Sequence, residues 1–142
     1  MFNKSEVARL RAWREFRNEL ESSADPVQDT IDLYNTAPIV SIAVDPYNIK
    51  TWPDPWQLLS ENSYCDLGIL LGIAYTLQLT DYFSHTKQII TINTNKKVAE
   101  TKYLLYINKK VIGFDRTRWI EVDEFDSKNW TVESKTLLPL YY

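Results

Sequence analysis

The stretch Cys65-Asp-Leu-Gly-Ile-Leu-Leu-Gly-Ile-Ala-Tyr-Thr-Leu-Gln-Leu-Thr80 decides the fold. Its apolar side chains leave no polar face, so the pattern predicts a central helix buried on all sides. Ser63 is the expected cap, with Asp66 three residues on. Gly68 and Gly72 lie one turn apart. Each glycine costs roughly 1 kcal/mol against alanine in a helix, so the pair points to close approach by another element. Only Thr76 and Gln78 interrupt the run, which is too short to span a bilayer.

Downstream of Asp81 the period changes from helical to two. Residues 89–92, 102–107 and 111–114 read as strands, joined by turns at 93–97 and 108–110. Residues 119–122 and 130–132 read as further short strands. Upstream, residues 4–23 read as an amphipathic helix capped by Asn3 and Glu6, with Val7, Leu10, Trp13, Phe16 and Leu20 along one stripe. A second helix is expected over 27–36 and a short strand over 39–44. Asp54 and Pro55 start another short helix that turns Trp56, Leu58 and Leu59 inward. The reading is one α+β domain over residues 1–142. Residues 1–36 form a helical segment, and 37–142 form a buried helix packed on an antiparallel sheet, with an apolar tail at 137–142.

Composition excludes several functions. The 142 residues are 44% hydrophobic, 13% aromatic and 25% charged, with a formal net charge of -3. That balance gives a full core and no general basic surface, so neither a nucleic acid nor a membrane is an expected partner. Arg9, Arg11, Arg14 and Arg17 interleave with Glu6, Glu15, Glu19 and Glu21, which predicts a solvated, ion-paired helix face. One cysteine and one histidine rule out an internal disulfide and make a zinc site improbable, so no metal or cofactor is expected. The start lacks an apolar signal core, so secretion by that route is not expected.

Cys65 is the one place where chemistry could sit. At a helix start the unpaired N–H groups favour a thiolate, while Asp66 beside it opposes one. The alternative is a small buried residue opening the helix. His85 follows the far end of a helix about 24 Å long, beyond the reach of general-base catalysis. Asp115, in Phe114-Asp-Arg-Thr117, is either an orienting group or a turn residue paired with Arg116 or Arg118.

A cysteine-headed helix followed by this strand order resembles the transglutaminase-like core of the papain-type superfamily. The resemblance covers roughly residues 60–120 and implies Cys65 as nucleophile and Asp115 as orienting group. The histidine position falls at about Glu100–Lys102 and holds no histidine, so His85 or a partner would have to supply the base. Separately, the runs Trp52-Pro-Asp-Pro-Trp-Gln-Leu-Leu59, Tyr64-Cys-Asp-Leu-Gly-Ile69 and Tyr75-Thr-Leu-Gln-Leu79 resemble small proteins of large contractile-tailed phages. That resemblance implies a non-catalytic virion or assembly role, in the particle or the host cytoplasm, with other virion proteins as partners. A homo-oligomer is an open alternative. The expected contact residues are Arg9, Arg11, Arg14 and Arg17 on the first helix and Leu137, Leu138, Leu140, Tyr141 and Tyr142 in the tail. If the chain is instead a hydrolase or acyl transferase, its residues are Cys65, Asp115 and His85.

Overall fold

A computed structural model describes residues 1–41, 43–125 and 127–141. In chain order come helices α1 (Glu6–Leu20), α2 (Pro26–Tyr34), α3 (Pro55–Glu61) and α4 (Asp66–Gln78). Strands β1 (Gln88–Asn95), β2 (Glu100–Ile107), β3 (Lys110–Ile112), β4 (Ile120–Glu121) and β5 (Thr131–Leu137) follow. The strands form one antiparallel sheet in the order β4-β3-β2-β1-β5. The α+β class read from the sequence is therefore the class observed.

Helix α4 packs on one face of the sheet, where Ile90, Leu105, Ile107 and Ile112 join Leu67, Leu70, Leu71, Ile73 and Leu77 in the main core. The opposite face carries a smaller cluster of Leu104, Val111 and Ile120, flanked by Tyr106, Phe114 and Phe125. Residues 104–107 of β2 and Val111 and Ile112 of β3 thus alternate between the two clusters, as a sheet covered on both faces requires.

Several element boundaries differ from the sequence reading. Helix α4 starts two residues later than Ser63 would set it, because Tyr64 is held extended: its N–H donates to the Pro38 carbonyl, and its carbonyl accepts from Val40 N–H. Cys65 is the cap instead, its sulfur accepting the Gly68 N–H at 3.4 Å. Residues 39–44 make no strand; Ile39 forms one isolated parallel bridge to Tyr64, and Ile42 lies outside the described residues. Strand β5 is longer than residues 130–132 because the free edge of β1 pairs along its length, with a bulge opposite Ile92 and Asn93. Asp54 caps α3 as expected, in a capping box completed by Gln57. Trp56, expected inward, is 48% exposed, while Leu58 and Leu59 are buried.

Helix α1 is shorter than 4–23, and Ser5 replaces Asn3 at its cap. The residues before it fold back to bury Phe2, whose carbonyl accepts from the Asn62 side chain. Its buried residues are Arg9, Trp13 and Leu20, not the full apolar stripe; Val7 is 73% exposed and Leu10 is 39% exposed.

A buried hydroxyl ties three helices together. Thr76 gives its one proton to the Gly72 carbonyl at 2.7 Å. Its oxygen therefore accepts from the Trp13 indole N–H (2.9 Å) and from the Tyr34 hydroxyl (3.1 Å), fastening α1 and α2 to α4. The Tyr34 ring lies over Gly72 and meets Phe2 and Tyr64 edge-on.

Burial raises the pKa of Tyr34 to about 12, and that of Tyr64 and Tyr75 further, from an ordinary 10.0. Below about pH 10 all three are neutral whether the chain is folded or not, so their contribution is constant. Above it the unfolded chain ionises while the folded one holds its protons. Stability is then expected to fall by about 1.4 kcal/mol per pH unit for each tyrosine. Denaturant midpoints measured across that range check this; a flat profile through pH 11 would contradict it.

Candidate functional site

A cleft of about 270 Å³ opens beside the start of α4. Its floor is Leu70, Ile73 and Ile112, and its rim carries Asp66, Glu100, Lys102, Asp115 and Arg116. The start of α4, the start of β2 and the loop after β3 therefore converge on one place, although they lie far apart in the chain. Gly113 forms part of the wall with φ +108°, pressed against the carbonyl of Tyr103.

The rim charges are largely engaged. Arg116 faces Asp66 at 3.7 Å, and Lys102 faces Glu100 at 3.4 Å. The Lys102 ammonium also donates to the Phe114 carbonyl and sits over the Phe114 ring. Asp115 is a turn residue: it accepts from the Thr117 N–H and hydroxyl and pairs with Arg118 at 3.5 Å. Those hydrogen bonds, the backbone one first, hold its carboxyl below the usual range.

Cys65 directly precedes the cleft residue Asp66 but does not line the cleft, and is buried, with 7% exposure. Tyr103 lies close enough that Tyr47, Cys65 and Asp66 add to burial in raising its pKa. His85 lies in the turn beyond the other end of α4, and that helix, at 13 residues, is about 20 Å long. The sole thiol and the sole imidazole thus belong to opposite ends of the domain's central helix. The positions Glu100–Lys102 line the cleft but supply a carboxylate, a hydroxyl and an ammonium in place of an imidazole. Among the described residues no three potential ligands are grouped to hold a metal ion. No helix among them is long and apolar enough to cross a membrane.

The arginines of α1 divide into two kinds. Arg9 is buried and donates to the carbonyls of Lys4 (2.6 Å), Leu59 (2.8 Å) and Ser60 (3.3 Å). It satisfies carbonyls at the C-terminal end of α3 that lack helical partners, so it is a structural clamp and not a surface contact. Arg11 and Arg14 are exposed, and Arg17 is half-buried. The expected ion-paired face is absent: among the described residues no carboxylate lies within 4.0 Å of these three. Instead Glu6 accepts from Ser60, and Glu21 accepts from the Asp81 N–H. Arg17 lies 4.3 Å from the Trp13 ring centroid, with its Nε buried and without an acceptor. Burial, then the like charge of Arg14, lowers its pKa.

At 100° per residue, Val7, Leu10, Arg11, Arg14 and Arg17 share about a third of the helix circumference. That sector adjoins the buried face: its Arg17 edge is about 40° from Trp13, while Val7, Arg11 and Arg14 lie about 100° or more from Trp13 and Leu20. Glu15 and Glu19 lie on its flank. The sequence period marks this sector as outward only once Arg9 is known to face in, a fact set by α3 and invisible locally.

The tail is taken up largely by its own domain. Leu138 is 3% exposed. The fully buried Gln78 donates to the Pro139 carbonyl (2.7 Å) and accepts from the Tyr141 N–H (2.9 Å). The Tyr141 ring meets Tyr75 and Trp56 edge-on. Of the tail contacts expected from the sequence, Leu137 and Leu140 remain exposed, at 59% and 50%, and Tyr142 lies outside the described residues. Gln78, which reads in the sequence as a mere interruption, is the tail's anchor.

Comparison with known protein families, curated proteins and solved structures finds no match for this chain.

Proposed function

We propose that this protein is a non-catalytic structural or assembly component that docks other proteins through the outward face of α1. The observation that carries this reading is a face of exposed Val7 and Leu10 beside Arg11, Arg14 and Arg17, which have no carboxylate within 4.0 Å among the described residues. Apolar contact with arginines at its edge is the composition of a protein-docking surface. The flanking Glu15 and Glu19 and the net charge of -3 disfavour a polyphosphate there. The resemblance to small proteins of tailed phages makes a virion, or the host cytoplasm during assembly, the proposed setting, and virion proteins the proposed partners. The experiment is mass spectrometry of purified particles. The protein is expected among their components, and the double variant Arg11→Glu/Arg14→Glu is expected to reduce its copy number at least several-fold. Particles without the protein would overturn the proposal.

A cysteine-dependent hydrolase or acyl transferase is the second reading, favoured by the convergence of the α4 start, Glu100–Lys102 and Asp115 on one cleft. Against it stand the burial of the Cys65 sulfur and its use as a helix cap. Alkylation by iodoacetamide separates the two. The folded protein is expected to react orders of magnitude more slowly than the unfolded chain across neutral pH. Fast labelling of folded Cys65 at neutral pH would support the enzyme.

A further inference from the structure

The docking face of α1 has a counterpart on the same molecule. Residues Val122–Glu124 form a one-turn 3-10 helix directly after β4, capped by that strand's last residue Glu121, and all four are exposed. The turn presents one apolar side chain, Val122, among three carboxylates, where α1 presents Val7 and Leu10 among three arginines. Its shape is fixed: the Val122 N–H donates to the Lys109 carbonyl at 2.8 Å. Glu121 and Glu124 cap the turn reciprocally. Phe125 anchors it on Phe114, ring centroids 5.3 Å apart. A preformed turn loses little freedom on docking. Among the described residues, Glu124 is the one of these carboxylates with an ion-pair partner, Arg118 at 3.6 Å, and that pair is exposed on both sides.

The two surfaces do not satisfy one another within a chain: among the described residues no ion pair joins Asp123 or Glu124 to an arginine of α1. The end of α1 that shares a pocket with Lys110 and Trp119, beside β4, is Leu20 and its C-cap Glu21, while Val7 and Leu10 belong to its other end. We propose that they meet between copies, the turn at 121–124 of one molecule seating Val122 on Val7 and Leu10 of the next, with Asp123 and Glu124 facing Arg11 and Arg14. This identifies the partner of the docking face proposed above and rests on that reading. Because two different patches are joined, the contact is head-to-tail and propagates into a ring or a filament, not a closed two-fold dimer. One such contact is small, so the isolated pair is weak and strengthens through repetition in an assembly.

Sedimentation velocity of the purified full chain, over a wide concentration range at low and high salt, tests it. The expected result is a sedimentation coefficient that rises with concentration at low salt and collapses to the monomer value at high salt. Two variants at exposed positions, Arg11→Gln/Arg14→Gln and Val122→Ser/Asp123→Asn, are each expected to stay monomeric while keeping the circular dichroism of the parent. Mixed together, they are expected to form a 1:1 dimer that grows no further, since each retains one intact surface. A parent that is monomeric at every concentration, variants that still associate, or a mixture that stays monomeric would each overturn the proposal. None of these outcomes bears on whether particles contain the protein, so the broader docking role is judged separately.

Discussion

Gly72→Ala is expected to destabilise the folded chain by roughly 3–5 kcal/mol, a large share of the stability of a domain this size. An added Cβ at position 72 would lie well under contact distance from three carbons of the Tyr34 ring. Tyr34 cannot swing aside, since Phe2 and Tyr64 hold it edge-on and its hydroxyl donates to Thr76. Either α2 lifts from α4, or the ring leaves its site and forfeits that hydrogen bond. Chemical denaturation should show a lower midpoint with little change in slope. A control sits one turn away: a Cβ at Gly68 meets only the Cys65 sulfur at 3.7 Å and Tyr64 at 3.9 Å, ordinary contacts. Gly68→Ala should therefore be neutral or stabilising by up to about 1 kcal/mol. In a Tyr34→Ala background the penalty of Gly72→Ala should vanish and turn into the same small gain, a coupling read directly from a double-mutant cycle. An equal penalty in both backgrounds would show that Tyr34 is not what occupies the space.

Gly113→Ala is the second large effect, expected at about 3 kcal/mol or more. Here both the conformation and the space are closed to a side chain. The backbone stands at φ +108°, and an added Cβ would lie 2.5 Å from the Tyr103 carbonyl oxygen and 3.3 Å from Leu70. That carbonyl is main chain of β2 and cannot rotate away, so β2 and the end of β3 must part where the cleft wall is formed. Loss of stability with amide shifts concentrated at 101–105 and 111–116 in NMR spectra is the expected signature. A variant with parental stability would mean that this backbone adopts another conformation in solution.

These two glycines show where sequence reading stops. The apolar run of α4 announced the central helix, and the Gly68–Gly72 pair announced a close approach. The pattern could not say that only Gly72 is used, because the neighbour, Tyr34, comes from a helix 38 residues earlier. Capping at Asp54 was legible because both partners lie within one turn. The cap at Cys65 was not, since a parallel bridge to Ile39 decides where Tyr64 stops being extended. The same distinction governs the sites. The separation of Cys65 from His85 follows from helix length alone and was legible. The inward turn of Arg9 depends on carbonyls some fifty residues away, and the extent of β5 depends on the vacant edge of β1. The acidic turn at 121–124 was read only as the end of a strand. Its charge pattern became meaningful once the unpaired arginines of α1 were located.

The position of β5 in the chain has a consequence for biosynthesis. β1 carries Ile89, Ile90 and Ile92 and pairs with β2 across a short turn, so that hairpin can close as soon as residue 107 is available. Its other margin is covered by residues 131–137, which are translated only after every other element. Throughout that interval the nascent sheet presents a β-branched strand with one row of backbone groups unsatisfied, the state in which strand-to-strand misassociation occurs. The closing segment is itself hydrophilic, with Glu133, Ser134 and Lys135 at its centre. The exposed rim that is sticky while the chain is being made therefore becomes, once made, a charged and kinked border.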